Sequence, residues 1–525
     1  MAAQQKDEGC STYYITTAID YSNGKPHIGH ALEKLAADVL ARYHRLRGDD
    51  TLFSGGVDEN SLHVLRAAQK AQVEPHQWID EINRAFRLAW SKLDISYDRW
   101  IRTTEEVHVH ASVEMFRRAR ANGDIYKSTY SGWYCPNCNT FYTAEELTDG
   151  HCPLHPSIMP EWLDEENYFF ALSRYSDALR EHIETHPEFI VPASRRAEVL
   201  GMLKQGLRDF SISRQVRPGF ENWGIPVPDD PAQVLYVWFD ALTNYLTVIG
   251  FPEDQQQFTH YWPANAHVIG KDITRFHCLY WPAMLLSAQL PLPRQVAVHG
   301  FLNPEGGEAF SKTAGNVVDP VELVDTVGVD AVRYYLLRNL SFASDSIFSR
   351  AGLLQAYNSE LANDLGNLLN RVVSMIQRYR NGAIPNPGME GPLEQEIQAQ
   401  AQAVRQKAEQ ELEVWEIGRA LQAAWGFVRR INQYIEQNEP WKLARQVDQT
   451  TRLDTVLFTA AESLRLLSVF LSPYIPTACQ RIREQLGLPA LERGAWETEG
   501  TWSARSLTQV QPGAVIFPRL EEERG

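Results

Sequence analysis

Residues 12–30 read Thr12-Tyr13-Tyr14-Ile15-Thr16-Thr17-Ala18-Ile19-Asp20-Tyr21-Ser22-Asn23-Gly24-Lys25-Pro26-His27-Ile28-Gly29-His30. A β-prone run from Thr12 to Thr17 gives way to an asparagine-glycine turn signal, and a proline then favours the first turn of a helix. Ala31 and Leu32 begin an apolar-periodic stretch that continues to Leu46, so the spacing predicts a strand, a turn and a helix from Ile28. His27 and His30 are thereby placed at a helix start. Backbone N–H groups and the positive end of the macrodipole point outward there, and two imidazoles add donors that suit a phosphate. A capped helix with two surface histidines is the alternative reading.

The alternation continues. A short strand is expected at Thr51-Leu52-Phe53 and helices across 61–92, which read as a parallel α/β sheet. From Gly123 to about Pro160 the pattern breaks into a stretch rich in cysteine, proline and glycine, as an insertion would. Beyond Gly224-Ile225-Pro226 apolar strand candidates return at 234–239, 266–269 and 295–298, so one sheet is interrupted and resumed. After about residue 350, Leu361, Leu365, Leu368, Val372, Met375, Ile376 and Tyr379 recur at three and four. With helical stretches over 394–437, 441–447 and 451–471, they make the last third a helical bundle.

The chain has 525 residues, 44% apolar and 22% charged, which is enough for several cores at about 150 residues per domain. Its formal net charge of −16 argues against nonspecific coating of nucleic acid and leaves room for a local basic face. No apolar run reaches the roughly eighteen residues of a membrane span, and the first residues lack the apolar core of a signal peptide, so a cytoplasmic protein is expected.

Of six cysteines, Cys135, Cys138 and Cys152 fall within eighteen residues. Cys135-Pro136-Asn137-Cys138 and Cys152-Pro153-Leu154-His155 form two knuckles of two ligands each, the donor set of a closed tetrahedral zinc site. Such a site is structural, because no position is left for a substrate. Three unrelated reduced cysteines would leave this proline- and glycine-rich segment short of a core. His151 competes with His155 for the fourth place.

Downstream, Gly307-Glu308-Ala309-Phe310-Ser311-Lys312-Thr313-Ala314-Gly315-Asn316 suits a loop that carries one ammonium to a polyphosphate. Paired with the histidines after the first strand, it would grip one ATP from two sides. The set is now specific. His27 to His30, Gly56-Val57-Asp58-Glu59, the zinc knuckle, Trp223-Gly224-Ile225-Pro226, Tyr236-Val237-Trp238-Phe239-Asp240-Ala241, Ile269-Gly270-Lys271-Asp272-Ile273, Phe310-Ser311-Lys312-Thr313 and Asn438-Glu439-Pro440-Trp441 follow one another as in methionyl-tRNA synthetases. The chain resembles that family from about 12 to 518, in its single-zinc-knuckle form.

The resemblance implies a class I synthetase with an α/β Rossmann catalytic domain (1–118 and 225–295), a zinc-bearing connective insertion (119–224), a stem-contact region with the lysine loop (296–355) and an α-helical anticodon-binding domain (356–525). It implies a ligase that activates methionine with ATP and Mg2+ and charges tRNA(Met). Carried over residue by residue, His27, Gly29, His30, Ser311 and Lys312 match ATP-binding positions, with His27, His30 and Lys312 the catalytic ones. Asp58 matches the carboxylate for the substrate ammonium. Ile19, Tyr21, Trp238, Ala241, Tyr245, Ile273 and His277 match the amino-acid pocket, although large aromatics such as Trp238 and Tyr245 also serve simply to pack a sheet. Asn367, Arg371 and Trp441 match anticodon contacts. Arg371, Arg378 and Arg380 would give that face positive potential, or be solvated helix charges.

Four departures stand out. Ala309 replaces the first lysine of the loop, Asn60 a histidine beside the amino-acid site, and Asp20 and Leu242 residues that are commonly proline. They keep open a paralogue that activates another amino acid, and a catalytically quiet tRNA-binding protein is a third reading. The chain ends near the close of the two-domain family core, so a monomer is expected.

Overall fold

In the computed structural model, which describes residues 11–135, 140–153, 156–216, 223–306 and 317–521, the first strand lies at the centre of a parallel sheet. Strand β1 (Thr12–Thr17) pairs on one side with β3 (Asp50–Asp58) and on the other with Ala266–Gly270, so that Ile15 faces Phe53 and Ala266 in register. Short β2 (Asp20–Tyr21) and β4 (Arg99–Arg102) extend the β3 side, and Val296–His299 then Ile190–Val191 extend the other. Buried faces on both sides fit the apolar character of these strands.

Strand β3 is longer than the three residues its apolar run predicts. Gly55 and Gly56 continue it because neighbours leave no room for a side chain: a Cβ would meet the Tyr97 ring at 2.5 Å and the Ile101 carbonyl oxygen at 2.3 Å. Close approach of β4 and of Tyr97 just before it, rather than a break in the strand, accounts for the pair.

The segment 234–239 also departs from expectation. Asp230–Leu235 is a strand, but of a separate antiparallel sheet with Ser213–Gln215 and Pro226–Val227, and Val237–Ala241 is helical. A second antiparallel sheet is built on Ile125–Cys135 paired along its length with Glu161–Phe170. The interruption of the parallel sheet is thus an antiparallel body.

Helix α1 (Ile28–Arg47) packs on the sheet and is buried nearly all round, since its outer face meets the helical region, as where Tyr43 abuts Trp496 edge to face at 5.1 Å. That region holds helices Asn367–Arg380, Pro392–Glu413, Ile417–Asn438 and Thr450–Phe470. The expected single stretch 394–437 is divided where Trp415 adopts φ +65° and donates its indole N–H to Gln295 at 2.5 Å. Leu361, Leu365, Leu368, Val372 and Ile376 form the bundle's buried stripe, with Met375 and Tyr379 at its margin. No helix among the described residues is long and apolar enough to cross a membrane.

Candidate active site

Helix α1 has no acid in its first turn, and histidine meets its first N–H groups. His27, in extended conformation, accepts the Gly29 N–H on Nδ1 at 3.1 Å, and His30 accepts the His27 N–H on Nδ1 at 3.1 Å. This is a capping box made of two imidazoles, their centroids 3.8 Å apart. Since each Nδ1 is an acceptor, each neutral ring carries its proton on Nε2.

The helix begins at the carboxyl edge of the sheet, where β1 has neighbours leading in opposite directions. A crevice opens at such a reversal. Here it measures about 400 Å³ and runs from His27, Gly29 and His30 past Asp58 to Trp238 and His277. Ile19, Tyr21, Ala241, Tyr245 and Ile273 complete the set, so all the residues matched to an amino-acid pocket line one cavity.

Its apolar end is aromatic. Trp238 stacks on Phe276 (centroids 3.8 Å apart, 6° between planes) and meets Tyr21 edge to face at 6.0 Å. Tyr245, 1% exposed, packs against His267 and also bonds its hydroxyl to His277 Nε2 at 2.7 Å, so it serves core and cavity together. His277 Nδ1 lies 3.1 Å from the Ile273 carbonyl and must be its donor, leaving Nε2 to accept from Tyr245. Burial lowers the His277 pKa to about 4, which keeps the ring neutral near pH 7.

Asp58, at the end of β3, is 2% exposed, and its Oδ1 has no hydrogen-bond partner. Burial, then the charge of Asp240, pushes its pKa well above the usual carboxylate range. Asp240 is fully buried, its Oδ2 accepts from the Asn60 amide at 2.6 Å, and burial raises its pKa to about 7. At the other end, Lys34 donates to the Ala18 carbonyl at 2.8 Å and Glu33 at 2.7 Å and pairs with Asp20 at 3.1 Å. His299 Nε2 lies 3.5 Å from Glu33. Asp20, Glu33, Lys34, His299, Asp272 and Asn303 line the cavity without having been singled out as site residues. Asp272 had a usable signal: it follows Ala266–Gly270 at a strand's carboxyl end, where α/β sheets hold ligands.

Ser311, Lys312, Cys138 and His155 fall outside the described residues. Their neighbours are informative for the loop, because Asn303 lines the cavity and the Ile28 N–H donates to the Val318 carbonyl at 2.9 Å. Both described flanks of 307–316 therefore reach the start of α1. Cys135 and Cys152 are fully buried, Cys135 at the end of its strand and Cys152 after the Asp149-Gly150 turn. Among the described residues no cluster of three or more His, Cys, Asp or Glu is arranged to hold a metal. In the helical region, Arg371 lies over the Trp441 ring at 5.9 Å and pairs with Glu436, while Asn367 is exposed one turn away. Arg380 is turned to Asp454 instead.

The family model for class I tRNA synthetases (M) matches residues 13–159 and 156–373, and that for the anticodon binding domain of methionyl tRNA ligase matches 384–523. A methionine–tRNA ligase of Brucella suis is 45% identical, over 97% of this chain and 98% of its own length. That of Caldanaerobacter subterraneus is 43% identical, over 98% of this chain and 80% of its own. This chain belongs to the methionyl-tRNA synthetase family. Among solved members, the Mycobacterium tuberculosis methionyl-tRNA synthetase in complex with methionyl-adenylate superposes with a TM-score of 0.92 at 40% identity, over 97% of this chain and all of that one. The apo form of that enzyme gives 0.85 at 36% identity, over 99% and 100%. Within the methionyl-tRNA synthetases, three departures of this chain now have physical partners: Asp20 pairs with Lys34, Asn60 holds Asp240, and Leu242 is buried at the cavity wall. Ala309 lies outside the described residues.

Proposed function

We propose that this chain is a methionine–tRNA ligase that condenses methionine with ATP to methionyl-adenylate and pyrophosphate, then transfers the methionyl group to tRNA(Met). The observation that carries this reading is a single cavity combining a histidine-capped helix N-terminus, a buried carboxylate with an open oxygen, and an aromatic and apolar wall of thioether size. His27, Gly29 and His30 take the phosphates of ATP, which arrives with Mg2+, and Asp58 takes the substrate ammonium by a charge-assisted bond. Ile19, Tyr21, Trp238, Ala241, Tyr245, Ile273 and His277 enclose the side chain. Lys312, with Ser311, neutralises charge on the departing pyrophosphate, a role supported by the position of both flanks of its loop. No side chain becomes covalently attached; positioning and charge stabilisation do the work.

Asn367, Arg371 and Trp441 are the proposed anticodon contacts, supported by the Arg371 guanidinium lying over the Trp441 ring. Cys135, Cys138, Cys152 and His155 are the proposed zinc ligands. Two buried thiols beside an antiparallel sheet suit a structural ion that ties the insertion together. We place the enzyme in the cytoplasm, where its substrates are, as a monomer divided at the domain boundaries given above.

Amino-acid-dependent ATP–pyrophosphate exchange with a panel of amino acids tests the reading. Exchange with methionine, followed by charging of tRNA(Met), is expected. Exchange with a different acid would transfer the reading to a paralogue, and none with any acid would end it.

A further inference from the structure

Two carboxylates, Asp58 on β3 and Asp240 on Val237–Ala241, are brought together, and among the described residues no cationic side chain pairs with either. Both are buried, and each has one oxygen, Oδ1, without a hydrogen-bond partner. Asn60, two residues after Asp58, donates its side-chain amide to Asp240 Oδ2 at 2.6 Å and to the Thr103 carbonyl at 3.1 Å, and its backbone N–H bears on Asp58, so one neutral residue links the two carboxylates. Asp58 lines the amino-acid cavity, and Asp240 immediately precedes Ala241, which lines it too.

Among the described residues the surroundings offer no relief. Arg102 on β4 is committed to Glu59 at 2.9 Å and Asp80 at 2.7 Å, and Lys34 on α1 to Asp20 and Glu33. His108, on the helix Glu106–Ala121, shares Thr247 and Ser112 and is kept neutral by burial. Tyr236 and Asp272 complete the titratable groups that bear on the Tyr21 hydroxyl beside the pair, and neither is positive near neutral pH. Two adjacent buried carboxylates cannot both stay ionised without a counter-charge.

We propose that Asp58 and Asp240 act as one receptor that holds a single shared proton when the site is empty, and that the incoming ammonium displaces this proton to solvent. The balance is simple: one proton leaves the pair as one ammonium enters, and no covalent bond changes. Asp240 is then a positioning residue that sets the charge Asp58 presents, and Asn60 is the residue that lets the proton stay. A histidine at position 60, as the family commonly has, could supply a positive partner to Asp240 and remove the need for it. Burial raises the pKa of both acids, which agrees with this arrangement; the Asp240 charge adds to the rise at Asp58, while the Asn60 amide and nearby backbone N–H groups oppose it at Asp240.

The inference rests on Asp58 as the ammonium receptor, and the experiment separates the two. Methionine binding to the full chain is measured by titration calorimetry in phosphate and in Tris near pH 7, which counts protons exchanged. Release of up to one proton per methionine is expected, with affinity falling up to tenfold per pH unit as the pH drops from about 8 to 6, the limit that a single proton sets. Asp240→Asn, nearly isosteric, should abolish the release and flatten the pH dependence, and Asn60→His should reduce both. Buffer-independent heats and flat affinity in the unaltered protein would overturn the proposal while leaving methionine as substrate. If methionine does not bind, the substrate reading fails. The pair is then judged in the empty protein by infrared difference spectroscopy: a protonated-carboxyl band at pH 7 that Asp240→Asn removes supports it, and absence of that band overturns it.

Discussion

Asp38 and Arg333 lie 2.7 Å apart with neither side chain exposed, and through them helix α1 is tied to the helical region. Asp38 sits midway along the helix that His27 caps. Arg333 also donates to the Leu93, Asp94, Pro473 and Tyr474 carbonyls at 2.8–3.2 Å, so all five of its N–H groups have acceptors on three separate segments. One guanidinium thus fixes the helix bearing the proposed phosphate site against the helical region that matches the anticodon-binding family model.

Arg333→Met should destabilise the protein by about 3–5 kcal/mol, because it strands the Asp38 carboxylate and several carbonyls in the interior. Denaturant unfolding checks this. Burial pushes the Asp38 pKa up, but Arg42, Arg333 and the Ser96 bonds outweigh it and hold the group at about 2. A carboxylate held below its unfolded value stabilises the fold above the ordinary carboxylate range and loses that contribution as pH falls toward 2. Asp38→Asn should therefore lessen the acid-induced loss of stability between about pH 4 and 2, in addition to a lower baseline. An unaltered acid limb would show that the pair is not what acid breaks.

Substitution at His27 can separate capping from chemistry. Asparagine is a good N-cap and accepts the same backbone N–H, so His27→Asn should keep stability within about 0.5 kcal/mol. It removes the imidazole Nε2–H, and pyrophosphate exchange should fall by roughly a hundredfold or more, the scale for losing a positioned donor to developing charge. Full activity at full stability would reduce His27 to a cap.

Tyr245→Phe leaves His277 Nε2 buried without its donor. The expected cost is about 1–3 kcal/mol, part of it expressed as binding, so the KM for methionine should rise about tenfold while that for ATP changes little. Exchange kinetics with each substrate varied in turn distinguish this from general unfolding, which would lower active enzyme without shifting either KM.

What could be read from the sequence was whatever depends on neighbours along the chain. Strand β1, its turn and helix α1 follow from β-branched and aromatic residues, an asparagine-glycine pair and a proline within nineteen residues. The Asp58 and Trp238 sides of the cavity came through motifs, since their separation in sequence hides any common site. What stayed illegible depends on distant contact. Gly55-Gly56 looks like a strand end until Tyr97 and Ile101 are seen against it, and Asn60 looks like a lost histidine until its Asp240 partner, 180 positions away, is in view. Helix Val237–Ala241 was missed because a five-residue apolar run has no periodicity to tell it from a strand. The break at Trp415 follows from a side-chain bond to Gln295, which no local pattern carries.

The zinc reading predicts one zinc ion per chain by elemental analysis, with Cys152→Ser releasing it and loosening the insertion to proteolysis. His151 Nδ1 lies 2.9 Å from the Asp149 carbonyl oxygen, which orients that ring but leaves its other nitrogen able to bind metal. The two histidines are therefore compared directly. His155→Ala should lose the ion and His151→Ala retain it; the reverse pattern would exchange their roles, and metal-free protein of normal stability would remove the site.

Trp441 offers the sharpest division between the two halves of the reaction. Its ring is half-buried, with Arg371 above it, and it lies on the short helix Pro440–Leu443, not among the residues lining the cavity proposed for ATP and the amino acid. An aromatic face next to a guanidinium is a surface on which an unstacked base can lie, and such stacking contributes about 1–3 kcal/mol per base. Trp441→Ala should consequently weaken tRNA charging by tenfold to a hundredfold, mostly as a higher KM for tRNA, while exchange without tRNA stays at its original rate. Arg371→Ala should act in the same direction and more weakly, since Glu436 already shares its charge. Loss of exchange together with charging would instead mean that the indole holds the bundle together, and its cost would then appear in unfolding rather than in the affinity for RNA.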